Sequence, residues 1–159
     1  MNTKTKIAFV CYLIPAIVLA VFGMVYLFSP TFMPYHQGAV GISWSDLEPP
    51  FKILILASLR GISAGQLATS LAIIILLFIP FKSGARWARW AIVTISLAEG
   101  LPLLYAVLII KLGTPASPPL IIVVACLVLS GLGFVLSFDR SQVGDQRLLG
   151  DKSDSDMKG

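Results

Sequence analysis

The sequence is poor in the residues that build catalytic and metal centres: it has one histidine, two cysteines and few charges, which make up only 13% of its 159 residues. One histidine cannot supply the ligand cluster of a membrane di-iron site, nor hold a haem from both faces within one chain. Cys11 and Cys126 form no CxxC and no metal-ligand spacing. This argues against a quinone-linked disulfide oxidoreductase, and their apolar surroundings mark them as small core residues. No cofactor and no metal is expected. The net charge of +4 does not point to nucleic acid, because the basic residues lie beside apolar runs rather than in a patch with interleaved aromatics. The expected partner is the lipid bilayer.

What the sequence does have is hydrocarbon, 57% of it hydrophobic with a mean hydropathy of +0.88. Four runs, over residues 7–28, 53–79, 90–110 and 120–138, are long enough to cross ~30 Å of hydrocarbon as helices. The fold class is therefore an all-α membrane protein, a four-transmembrane-helix bundle with a long outer loop between helices 1 and 2. The first run could be taken for a signal peptide with Val18-Leu19-Ala20 as its cleavage motif, but the apolar stretch continues past that point and reads as a span. Lys4, Lys6, Lys82, Arg86, Arg89, Arg140 and Arg147 fall on one side of the four spans, with only Lys52 and Lys111 at the other ends. Positive charge marks the cytoplasmic side, so both termini are expected inside. Trp87 and Trp90 at the inner loop and Trp44 in the outer one fit the interfacial aromatic belt. Residues 139–159 turn to Asp, Ser, Lys, Arg, Gln and Gly and read as a disordered cytoplasmic tail.

Arg60 in the second span and Glu99 in the third stand out, since an ionised side chain at the bilayer centre costs about 2.5 to 3.5 kcal/mol on insertion scales. Counted from the outer ends, their depths differ by only ~5 Å, which predicts an ion pair that neutralises both. At 100° per residue, Arg60, Ser63, Gln66 and Ser70 gather on one sector of span two, and Gly61, Ala64, Gly65 and Ala68 on another. The first sector, with Glu99, forms the candidate binding site. The small residues Gly61, Gly65 and Ala68 are expected to let a neighbouring helix approach closely, within the chain or in a homodimer or other membrane partner. Pro102 is expected to kink the third span near Glu99, freeing the carbonyl of Ala98. His36 in the outer loop is a further binding candidate because it titrates near neutral pH.

The segment Leu59-Arg60-Gly61-Ile62-Ser63-Ala64-Gly65, followed by Pro80-Phe81 and Arg86-Trp87-Ala88-Arg89-Trp90, resembles the middle of small four-helix bacterial membrane proteins of the DoxX-like kind. The resemblance covers about half the chain. It implies a bacterial inner membrane location and a four-helix fold, and carries no catalytic residue. Claudin-like tetraspans are excluded by the lack of paired cysteines in the outer loop. Small multidrug transporters carry their membrane glutamate in the first helix, whereas here it lies in the third. The first functional expectation is a non-catalytic accessory or scaffold subunit of a membrane assembly. The second is a small transporter or polar-ligand-binding protein working through Arg60 and Glu99. The third is a membrane enzyme acting on lipid or quinone with His36 or Glu99 as acid or base. No nucleophile, base and orienting partner can be placed together, so no catalytic residue is assigned.

Overall fold

A computed structural model describes residues 3–138, and the tail expected over 139–159 lies outside the described residues. Helix α1 spans Thr3–Phe28, α2 Pro34–Val40 and α3 Pro49–Leu76, which continues into a π turn at Leu77–Phe81. Helices α4, Arg86–Gly113, and α5, Leu120–Ser137, complete the described chain. Four helices (α1, α3 with its π turn, α4 and α5) are long and apolar enough to cross a membrane. Their outward surface carries exposed Val21, Leu71, Ile79, Ile109, Ile121 and Val135, a surface that hydrocarbon solvates and water does not.

Helix α1 lies along both α3 and α5, and α4 lies along α5 and, less closely, α3. The ring therefore closes in the order α3, α1, α5, α4. Ala8, Tyr12 and Ala16 of α1 meet Ile73, Leu77 and Phe81 and, across them, Ala88 and Ile92 of α4 in the central cluster. Span two was expected to be the central helix; in the ring every long helix has two neighbours, and α1 is the one packed most extensively against its own.

Prolines account for two departures from the expected boundaries. Helix α3 begins at Pro49 rather than at residue 53, because Pro49 and Pro50 occupy the first helical positions, where a missing N–H costs nothing. Pro80 was expected to end this span. Instead, the widened π turn absorbs the ring and the lost donor, and the Ala85 N–H donates to Pro80 O at 2.9 Å. Gly84, at φ +92°, then reverses the chain into α4. Pro102 lies inside α4, which runs unbroken from Arg86 to Gly113.

The segment between α1 and α3 folds back over one end of the bundle. The Tyr35 hydroxyl of α2 hydrogen-bonds that of Tyr26 in α1. Gly38 rests against Ala116 in the α4–α5 connection, and Phe32 meets Trp44 edge to face at 5.1 Å.

Candidate functional site

One sector of α3 places Ser63, Gln66 and Ser70 against α1, and all three are buried. Ser63 Oγ donates to Gly23 O and Ser70 Oγ to Ala16 O, each at 2.8 Å, so the two serines are satisfied by α1 carbonyls. Gln66 lies between them, only 2% exposed, and its Oε1 has no hydrogen-bond partner. An unpaired amide oxygen in so buried a position costs about 1 to 3 kcal/mol, which marks Gln66 as a residue kept for something other than packing.

Gln66 faces a cavity of about 70 Å³ enclosed by all four long helices. Its walls are mostly hydrocarbon, from Pro15, Leu19 and Phe22 of α1, Leu103 of α4, and Val123 and Leu127 of α5. Into this wall α4 inserts Ser96 and Glu99, one helical turn apart, and α5 contributes Cys126 and Ser130. Ser130 Oγ is occupied by Cys126 O at 2.9 Å. Three oxygen-bearing side chains, those of Gln66, Ser96 and Glu99, thus converge on an apolar space that reaches the bundle surface at Ile122. Such a chamber, apolar with a few convergent polar groups, has the make-up of a small-molecule site.

The structure brings together Gln66 and Glu99 from the expected set, and separates the others. Arg60 is exposed and is not part of the cavity wall, and no ion pair joins it to Glu99 among the described residues. Arg60 sits at the edge of the polar sector and is exposed, while Glu99 lines the cavity. Ser63 serves the α1–α3 contact. Gly61, Gly65 and Ala68 are exposed, and a Cβ on either glycine would meet nothing within 4 Å, so among the described residues no helix uses the stripe. Close approach occurs instead at Gly133, where a Cβ would lie 3.2 Å from Ala8 O and the Tyr12 ring.

His36 lies in α2, where its Nδ1 accepts from the Met33 N–H at 3.2 Å. Burial lowers its pKa, in keeping with a neutral ring that caps its own helix. The neighbouring Tyr35 hydroxyl is pushed up, first by burial and then by its bond to Tyr26. Ser96, Pro15 and Cys126 had not been singled out as site residues. The Ser96-x-x-Glu99 spacing on one helical face was the readable signal for the first, whereas Pro15 and Cys126 become neighbours of Glu99 only through tertiary packing.

Comparison of the chain with family models, curated proteins and solved structures gives no match. The DoxX-like resemblance consequently rests on the residues quoted for it and assigns no role to the cavity.

Proposed function

We propose that the chain is a membrane-embedded binding protein of the bacterial inner membrane, with both termini cytoplasmic, whose site is the Gln66–Ser96–Glu99 cavity. Its ligand is an amphipathic molecule with a slender apolar body and a head group that donates hydrogen bonds, an alcohol or an amine. The observation carrying this reading is the unpartnered Oε1 of Gln66, held in an apolar wall opposite a carboxyl group. A buried acceptor with no partner in the protein is worth most to a ligand that brings its own donor. Arg60, placed on the outer surface, is not part of the site.

Cys126 provides the test, since it lines the cavity and Cys11 can be removed. In a Cys11→Ser background, dodecanol and dodecylamine are expected to slow N-ethylmaleimide labelling of Cys126, and dodecyl methyl ether to do so about fivefold less well, the worth of one net hydrogen bond. Gln66→Leu is expected to erase that difference while raising the melting temperature, because it removes a buried unsatisfied oxygen at similar volume. Equal protection by ether and alcohol in the parent would reject the site.

A second reading, an accessory subunit, is favoured by one observation: the stripe of Gly61, Gly65 and Ala68 that no helix among the described residues covers. Its partner is a membrane helix, of another protein or a second copy, close enough for backbone contact. Cysteine cross-linking at Ala68 between co-expressed copies separates these two partners. Of the two residues behind the catalytic reading, His36 lies outside the cavity wall and Glu99 within it.

A further inference from the structure

At the end of the bundle where α1 starts and α5 stops, a second pocket of about 200 Å³ opens beside the α3–α4 turn. Its wall carries Thr5, Ser83, Arg86, Arg89 and Ser137, and among the described residues no carboxylate. Arg89 is half-buried and held in place: its Nη1 donates to Ser137 O at 3.2 Å and its guanidinium lies 4.3 Å from the Phe138 ring centre. Its Nε is shut off from solvent and has no acceptor. The hydroxyl of Tyr12, a residue only 1% exposed, is likewise buried without a hydrogen-bond partner among the described residues. The wall thus presents two guanidiniums, while the Ser83 and Ser137 hydroxyls donate to Pro80 O and Phe134 O at 2.9 and 2.7 Å.

The surroundings fix the level of this pocket. Trp87 and Trp90 are exposed on either side of Arg89, and Lys82 lies 4.3 Å from the Phe78 ring centre, the mixture of aromatic and basic side chains found where hydrocarbon gives way to headgroups. Guanidinium groups match the oxygens of phosphate in fork geometry, and the start of α4 at Arg86 adds the positive end of a helix dipole. We propose that this pocket takes a phosphoryl group, with an anionic phospholipid of the adjoining leaflet as its source. The proposal needs the four long helices to span a membrane but does not depend on the Gln66 cavity.

Titration of the full chain in mild detergent with phosphatidylglycerol, read by native mass spectrometry and by melting temperature, tests it. The Arg86→Gln, Arg89→Gln double variant is expected to bind phosphatidylglycerol about tenfold more weakly than the parent. Lys111→Gln, a basic residue exposed at the opposite end, is expected to leave binding unchanged. Arg86→Gln alone keeps the Arg89–Ser137 bond; should the double variant fail to fold, this single one is expected to show a loss of about threefold. Inorganic phosphate that competes with the lipid supports the phosphoryl site. If phosphate binds in an arginine-dependent way and the lipid does not, the site stands and its source is free phosphate. Binding of neither probe, or equal binding by parent and variants, overturns the proposal.

Discussion

Arg60 and Glu99 were expected at similar levels of neighbouring helices, yet each faces a different medium, one the outer surface and the other the cavity. In a double-mutant cycle of Arg60→Met and Glu99→Gln, read by unfolding in detergent, the two effects are expected to add to within about 0.5 kcal/mol. Coupling beyond about 1 kcal/mol would mean that the side chains meet. The height of a residue along a helix is estimated by counting at ~1.5 Å per position, and the expected pairing rested on that count alone. Rotation about the helix axis is fixed only by neighbouring helices. Ser63, Gln66 and Ser70 were readable as one buried sector because short polar side chains have nowhere to go but the helix they touch. A long arginine at the sector's edge has the alternative of reaching along the surface toward water, and Arg60 lies exposed on that surface. The cavity itself was not legible, since its wall is assembled from four helices with no local pattern linking them.

At the scale of the element, glycine has two opposite uses in this bundle. Gly133 stands where α5 comes within backbone distance of α1, and Gly61 stands on an open face of α3. Gly133→Ala is therefore expected to lower the melting temperature, because Ala8 O belongs to a rigid helix and cannot give way as a side chain would. Gly61→Ala is expected to leave it unchanged or to raise it, since alanine is favoured over glycine by up to about 1 kcal/mol within a helix. Thermal melts of the two variants in one detergent decide this, and a larger fall for Gly61→Ala would place a packed neighbour on that face. The sequence showed the Gly61-xxx-Gly65 spacing plainly and the importance of Gly133 not at all. A motif announces that close approach is allowed, whereas the neighbour that exploits it comes from elsewhere in the chain. Prolines were misread in a related way: span two was begun at residue 53 and ended at Pro80, while α3 uses Pro49 and Pro50 to begin and a widened turn to pass Pro80.

For the whole molecule, the four long helices were fully legible, because an uninterrupted apolar run needs no tertiary information to declare itself. The shared pocket of Thr5 and Ser137 puts the first and last described turns at one end of the bundle. With the excess of Lys and Arg on that side, reporters fused at Lys4 and after Arg140 are expected to read cytoplasmic, and one inserted near Gly38 extracytoplasmic. A cytoplasmic signal at Gly38 would invert the orientation and place the arginine pocket in the outer leaflet.

The contact between α1 and α5 also has a bearing on how the protein is made. A ribosome delivers α1 first and α5 last, so the side of α1 that receives Gly133 stays uncovered throughout translation, touching only lipid or the insertion machinery. Helix α3 can dock early through the Ser63 and Ser70 hydrogen bonds, leaving a half-built ring that waits for its closing member. Because α5 supplies one wall of the cavity, that chamber is complete only once α5 has joined the ring, and no ligand can be enclosed by it before then.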